Sequence, residues 1–208
     1  MEIKLLTITP NAEKVIEKAG RTCYQSVSKI EDDSEKKFII KMIKLGHHSV
    51  LEHASATFQI RGVSRSFTHQ IVRHRLCSFS QQSQRYVKER KFNFVEPVSI
   101  INNLEAHNLF NNFMDEVKVI YGKLQELGIK NEDARFILPN AVESEIVISA
   151  NFRQFRHLFC QRCTKSAQVE IREVCLCMLR ILQEEVPIIF GDFIIDDNLL
   201  TASTLFFS

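Results

Sequence analysis

The sequence predicts an α+β fold rather than a doubly wound parallel sheet. Two segments, 54–61 and 143–150, alternate polar and apolar residues with a period of two, as half-buried strands do. Several longer segments carry apolar stripes at helical spacing. The two kinds of segment follow one another in mixed order, without the strict strand–helix repeat of a doubly wound sheet. The 208 residues contain no internal repeat, no low-complexity tract and no Gly/Ser/Pro linker, so residues 1–208 read as a single domain.

Residues 3–8 alternate weakly and predict a strand. Residues 10–22 open on Pro10, which suits a first helical turn. Ser34 is placed to cap a helix over 35–45, with Phe38, Met42 and Leu45 as its apolar face and Gly46 as its end. In 54–61, Ala54, Ala56, Phe58 and Ile60 point one way, and Gly62 breaks the pattern. A helix over 64–74 has Phe67 and Ile71 four apart. The polar stretch 76–84 reads as a loop and 92–95 as a short strand. A long helix over 103–127 ends near Gly128; a short one over 131–138 stops before Pro139. Helices over 152–162 and 167–186 follow the strand at 143–150. Ala167, Ile171, Val174, Met178 and Ile181 form a stripe that reads as core or subunit interface. The tail from Pro187 is apolar and needs something to pack against.

A hydrophobic fraction of 45% and a charged fraction of 25% are those of a globular protein that builds a core without disulfides or metals. Sixteen Phe and no Trp assign most large aromatic packing to Phe. No apolar run is long enough to span a bilayer, and the N-terminus lacks the layout of a secretory signal, so no membrane partner is expected and the protein reads as cytoplasmic. The six cysteines are irregularly spaced and read as free thiols. Cys160, Cys163, Cys175 and Cys177 offer four soft ligands, but they lie in apolar helical patterns where Cys serves as a small core residue, so no metal is expected.

A net charge of +2 argues against a general nucleic-acid partner. The charge is unevenly distributed. No Asp or Glu lies between Glu52 and Glu89, a window holding Arg61, Arg65, Arg73, Arg75, Arg85 and Lys88. A second acid-free window between Glu145 and Glu170 holds Arg153, Arg156, Arg162 and Lys165. Such windows suit phosphate binding, or else are two solvated basic faces.

The segment from Arg73 to Tyr86 concentrates the chemistry. Two arginines and a histidine stand at a helix end, followed by a Ser- and Gln-rich loop and then Arg85. Guanidinium forks match phosphates and carbonyl-bearing rings, and Ser, Gln and backbone N–H groups complete an anion cradle. Residue types alone leave two readings open: an anion site with base-recognising amides, or a basic helix end set against its own dipole.

Arg73-His74-Arg75, seven residues and then Ser83 resembles the signature of the flavin-dependent thymidylate synthases. Four further segments resemble that family in the same order: Gly46-His47-His48-Ser49 with Glu52-His53, Gln70-Ile71-Val72, Ala134-Arg135-Phe136-Ile137-Leu138-Pro139, and Asn151-Phe152-Arg153 with His157 and Arg162 beyond. Together they cover residues 46 to about 170. The resemblance implies the family fold, a mixed or antiparallel central sheet flanked by helices. It implies reductive methylation of dUMP to dTMP, with 5,10-methylenetetrahydrofolate as carbon donor and FAD, reduced by NADPH, as hydride source. It implies a homotetramer with active sites where subunits meet.

By the same resemblance, Ser49, Arg73, His74, Arg75, Gln81, Asn151, Arg153 and His157 are FAD contacts. Gln70, Ile71, Val72, Arg73, Gln81, Gln82, Ser83, Gln84, Arg85, Arg135 and Arg162 are dUMP contacts. Arg162 is the catalytic residue: a guanidinium against the pyrimidine stabilises negative charge over N3 and its carbonyls while C5 acts as nucleophile. His47 falls on the flavin or folate side, or is a core or capping histidine. Ser83 has no evident base beside it, and Cys77 occupies a variable position of the motif, so no covalent enzyme nucleophile is expected. Gln81, Gln84 and His157 stand where many family members carry Glu, Gly and Asn. No Gly-x-Gly-x-x-Gly fingerprint is present, so FAD would not sit on a Rossmann turn. Two other classes compete: an RNA-binding module stacking bases on Phe79 or Tyr86, and a zinc hydrolase built on His47, His48, Glu52 and His53.

Overall fold

The structure is a computed structural model that describes residues 1–87 and 92–206. Lys88, counted above in the first basic window, and Glu89, which closes that window, lie outside the described residues. The elements in chain order are β1 (Glu2–Ile8), α1 (Ala12–Thr22), α2 (Ser34–Lys44), β2 (Ser55–Ser64), α3 (Arg65–Ile71), β3 (Ser78–Gln81), α4 (Val98–Ile101), α5 (Leu104–Glu126), α6 (Asn131–Ala134), β4 (Glu143–Asn151), α7 (Phe152–Arg162), α8 (Val169–Glu185), α9 (Pro187–Phe190), β5 (Ile194–Asp196) and β6 (Thr201–Ser203). Short 3-10 turns cover Val27–Lys29, His48–His53 and Arg135–Ile137.

Four strands form a sheet in the order β1-β2-β4-β3, and β5 pairs antiparallel with β6. The Thr57 and Ser149 hydroxyls meet at 2.8 Å, and Phe152 N–H donates to the Ala54 carbonyl at 2.9 Å. Moving forward along β2 therefore moves backward along β4, and these central strands are antiparallel. The α+β class and a central antiparallel pairing, both expected, are what the molecule shows.

The chain divides into two compact units. The first comprises Met1–Glu2, Ile60–Ile71 and Ser80–Ile146. Its α5 buries Met114, Val117 and Tyr121, two of which join Phe92 and Val142 in a small core. Asn103 caps α5 by accepting from Ala106 N–H at 3.1 Å, and Gly128 closes it with φ at +83°, a conformation few side chains tolerate. The strand expected over 92–95 is reduced to one bridge, Phe94 to Val142.

The second unit comprises Ile3–Gln59, Val72–Phe79 and Val147–Ser208. Its core is a phenylalanine cluster, as the composition implies. Phe58 meets Phe155 edge-on at 5.6 Å, while Phe190 lies 5.5 Å from Phe152 and 5.9 Å from Phe159. Within it runs an ion pair whose arginine is fully buried and whose carboxylate is part-buried. The fully buried Arg156 donates to both carboxylate oxygens of Asp192, at 2.6 and 2.7 Å, and also to the Ile189 carbonyl; the Thr204 hydroxyl donates to the same carboxylate. Burial alone would raise the Asp192 pKa, but the Arg156 hydrogen bonds and charge outweigh it and hold the group below the ordinary carboxylate value.

Several local expectations are corrected. Leu45 is 55% exposed, and the buried face of α2 is Ile39, Met42 and Ile43. Ser34 is the first residue of α2 rather than its cap. Its hydroxyl donates to the buried Glu17 carboxylate, whose oxygens lie at 2.7 and 2.9 Å, and accepts from Glu31 N–H at 3.1 Å, ahead of the helix rather than from its first turn. Gly62 does not end β2: at φ +70° it shifts the alternation by one residue, so that Val63 is buried where the earlier phase would bury residue 62. The helix expected over 64–74 stops at Ile71, and the expected loop 76–84 contains β3. The tail, by contrast, does pack as expected, with Ile189, Phe190, Phe193 and Ala202 buried.

Removing one partner of a buried ion pair strands the other. Asp192→Ala should therefore lower unfolding free energy by about 3–5 kcal/mol in urea denaturation. Arg180→Ala, at the exposed pair with Asp197, should cost less than about 1 kcal/mol. Equal costs would mean that Arg156 is not held in a dry core.

Candidate active site

Two segments of the second unit build its cleft. The first is the turn after α3, where Arg75 N–H donates to the Arg73 carbonyl at 3.1 Å and Cys77 N–H to the His74 carbonyl at 2.9 Å. This tight turn sets Arg73, His74 and Arg75 side by side. The second is α7, which begins where β4 ends. Asn151 closes β4 and caps α7 by accepting from Gln154 N–H at 2.9 Å. Phe152, Phe155 and Phe159 point into the core, so helical periodicity turns Gln154, His157 and Gln161 together to another face.

The cleft holds about 670 Å³ and is lined by Arg73, His74, Arg75 and Leu76 from the turn and by Gln154, His157, Gln161 and Arg162 from α7. No acidic side chain is among these eight residues. Three guanidinium groups beside two imidazoles and two amides make an anion site with hydrogen-bonding walls. Arg162 Nε donates to His74 Nε2 at 2.9 Å. A guanidinium N–H can only donate, so Nε2 of His74 carries the lone pair and the neutral ring's proton sits on Nδ1. Burial, then the charges of Arg162 and His157, bring the His74 pKa down to about 4.

The first unit holds a second cavity of about 320 Å³, where Arg135 and Gln84 meet Arg65, His69 and Asn140 over a floor of Phe136, Leu138 and Pro139. Arg85 pairs with Glu132 at 3.1 Å, and Arg135 Nε donates to the Glu132 carbonyl at 3.2 Å. The Gln81 amide donates to the Thr68 and Ser144 hydroxyls at 2.8 and 3.3 Å. Gln82 N–H donates to the Glu145 carbonyl at 2.9 Å, and the Ser83 hydroxyl accepts from Arg85 N–H at 3.3 Å. Gln70 donates to the Ser66 carbonyl at 3.3 Å, and Ile71 is buried.

The residues singled out from sequence thus fall into two sets. Val72, Arg73, His74, Arg75, Asn151, Arg153, His157, Arg162, His47 and Ser49 belong to the second unit; Gln70, Ile71, Gln81, Gln82, Ser83, Gln84, Arg85 and Arg135 belong to the first. Five of them share the larger cleft and two share the smaller cavity. Val72 is part-exposed, and Arg153 is engaged by Glu52 at 2.5 Å. Ser49 is exposed in the turn His48–His53, and His47 is exposed just before it. The sequence reading missed Gln154 and Gln161, whose spacing of three and four residues about His157 was the available signal. It also missed Thr68, Ser144 and Glu132, which only the fold brings to their partners.

Among the described residues, no group of three or more His, Cys, Asp or Glu side chains is placed to hold a metal ion. Burial pushes the Cys77 thiol up to about 11, against an opposing hydrogen bond with Gln154, so it is protonated at neutral pH. No helix among the described residues is long and apolar enough to cross a membrane.

The larger cleft is thus ringed by cationic and amide groups in an α+β frame. Residues 4–188 match the family described as thymidylate synthase complementing protein. The flavin-dependent thymidylate synthase of Geobacter sulfurreducens is 43% identical, over 92% of this chain and 86% of its own. That of Nitratidesulfovibrio vulgaris is 40% identical, over 91% and 85%. The crystal structure of thymidylate synthase X from Helicobacter pylori, with FAD and dUMP, superposes with a TM-score of 0.79 over 96% of this chain and 99% of that one at 24% identity, a likeness of fold. The chain belongs to the flavin-dependent thymidylate synthase family.

The state of His74 has a thermodynamic consequence. With a native pKa near 4 against an ordinary 6.5, the unfolded chain binds the extra proton first, so this residue withdraws stability as pH falls from 6.5 to 4 and no further below that. His74→Gln should flatten the dependence of Tm on pH within that window. An unchanged slope would show that His74 is not held neutral.

Proposed function

We propose that this chain methylates dUMP to dTMP, with 5,10-methylenetetrahydrofolate as carbon donor and FAD and NADPH as the reducing pair. The observation that carries the reading is the cleft of Arg73, Arg75 and Arg162 without a lining carboxylate, in a chain that belongs to this family. Its donor set fits FAD: guanidinium and imidazole groups suit a pyrophosphate, and the amides of Gln154 and Gln161 suit ring carbonyls and nitrogens. When bound, FAD reduced by NADPH supplies the hydride that completes the methyl group.

Arg73, Arg75, His74 and His157, with Ser49, Gln81, Asn151 and Arg153, are the FAD-binding set. Arg153 would exchange the Glu52 carboxylate for a cofactor oxygen. Gln70, Ile71, Val72, Arg73, Gln81, Gln82, Ser83, Gln84, Arg85, Arg135 and Arg162 are the dUMP-binding set. Arg85 and Arg135 supply charged donors for its phosphate, and His47 lies on the flavin or folate side. Arg162 spreads charge from the pyrimidine into its guanidinium, so that C5 gains nucleophilic character without a covalent bond to the enzyme. Ser83 binds dUMP; its hydroxyl accepts a backbone N–H rather than meeting a base.

The chain works as one cytoplasmic domain, since the family match extends through both units. It self-associates as a homotetramer with sites at subunit interfaces. Leu109, Phe113 and Ile120, spaced four and seven apart on α5, are 66%, 52% and 41% exposed, an apolar stripe suited to burial against another copy.

The purified protein should be yellow and should form dTMP from dUMP, methylenetetrahydrofolate and NADPH. Arg162→Ala should keep its flavin spectrum and lose about a hundredfold or more in turnover, whereas Ser83→Cys should stay measurably active. Normal turnover by Arg162→Ala would remove the activating role. A colourless protein whose affinity for RNA falls steeply with salt would replace the whole reading. Light scattering should give four chains per particle; a fully active monomer would contradict shared sites.

A further inference from the structure

We infer that His74 is a positioning residue for Arg162, its Nε2 lone pair holding the guanidinium plane so that the fork opens into the cleft at one angle. This rests on the reading of Arg162 as the group that meets the pyrimidine, and it gives His74 a task beyond contact with the cofactor.

The two residues are 88 apart in sequence and meet through their side-chain nitrogens at 2.9 Å. His74 is 6% exposed, and its backbone is fixed by the Cys77 N–H bond to its carbonyl. Arg162 sits in the last turn of α7 on a long stem with several rotatable bonds, and such a side chain loses much freedom when a single orientation is imposed. The guanidinium is planar, so an acceptor on Nε, together with the anchored stem, restricts the directions its terminal nitrogens can take.

The imidazole can do this only while it is uncharged. A protonated His74 would offer two N–H donors and no lone pair, and would set two cations 2.9 Å apart, with Arg73, Arg75 and His157 also lining the cleft. A carboxylate here would hold Arg162 too, but would cancel the positive charge the pyrimidine needs. A neutral imidazole orients the guanidinium and leaves its charge intact.

Selective nitrogen-15 labelling of histidine tests the geometry without turnover. His74 should show an unprotonated Nε2 at neutral pH, and Arg162→Ala should shift that resonance. A protonated Nε2 would overturn the inference whether or not the enzyme is active. Turnover supplies the second test, with wild-type dTMP formation as the check on the underlying reading. His74→Leu should lose about tenfold to a hundredfold in kcat counted per bound flavin, with KM for dUMP little changed. His74→Gln, which returns an acceptor oxygen, should recover much of the loss. Adding His74→Leu to Arg162→Ala should cost little further. Flavin loss with normal kcat per remaining flavin, or additive losses in the double variant, would mean that His74 serves the cofactor alone.

Discussion

The junction of β4 and α7 is the constraint on which the second unit's cleft depends. Asn151 is the last residue of the strand and the cap of the helix at once, so α7 leaves the sheet in a direction set by one side-chain bond to Gln154 N–H. Three buried phenylalanines, Phe152, Phe155 and Phe159, then fix the helix's rotation. Each contributes roughly 1.5–3 kcal/mol of burial, against about 1 kcal/mol for the cap. The core therefore sets the rotation and the cap sets the starting residue. With both fixed, the charged and amide residues of α7 each have one destination: Arg153 toward Glu52, Arg156 inward to Asp192, and Gln154, His157, Gln161 and Arg162 to the cleft. A slip of one residue would rotate all of them by about 100°, burying Gln154 or Arg153 in the aromatic cluster.

The same fold sorts the arginines by what neutralises them. Arg61, Arg85, Arg153 and Arg156 each have a carboxylate within hydrogen-bonding reach, in Glu145, Glu132, Glu52 and Asp192. The guanidinium groups of the larger cleft sit among lining residues that include no acid. Gathering like charges costs energy in the empty protein, and an anionic ligand reverses that cost, so the repulsion becomes affinity. A neutral histidine inside such a group follows from the same field. Burial and the adjacent charges both disfavour its proton, which leaves it as an acceptor among donors.

Fold class and most helical segments were legible in the sequence because they rest on local periodicity, whereas the antiparallel central pairing came only with the family resemblance. Ala54, Ala56, Phe58 and Ile60 announce their strand, and the stripe through Ile171, Val174 and Met178 its helix; those three are buried as expected. The failures share one cause, a tertiary partner overriding a local signal. Ser34 looks like a cap until a buried Glu17 claims its hydroxyl. Gly62 looks like a strand end until its positive φ lets the strand continue one residue out of phase. Leu45 looks like core until the helix places Ile39 and Ile43 there instead. At the site, Arg73, His74, Arg75, His157 and Arg162 were readable from the motif, while the turn that carries the first three and the amides of Gln154 and Gln161 were not. The contact between His74 and Arg162 was not, because nothing local joins residues 88 apart.

Arg156 shows where counting charges misleads and why a buried arginine serves this fold. It belongs to the second acid-free window, which suggested phosphate binding, yet its partner Asp192 lies beyond that window, and Arg156 itself is fully buried while Asp192 is only part-buried. Apolar residues of similar volume would stabilise α7 as well, since desolvating two charges consumes most of what their attraction returns. Aromatic packing alone, however, tolerates small rotations, because edge-on and stacked ring contacts differ little in energy. A bidentate pair has one good geometry, with both nitrogens on both oxygens, and it loses that geometry when the helix turns by even a fraction of a residue. Arg156 stands one position before His157 and six before Arg162. The rigid pair therefore fixes the angle at which the neighbouring face of the helix presents those two residues to the cleft.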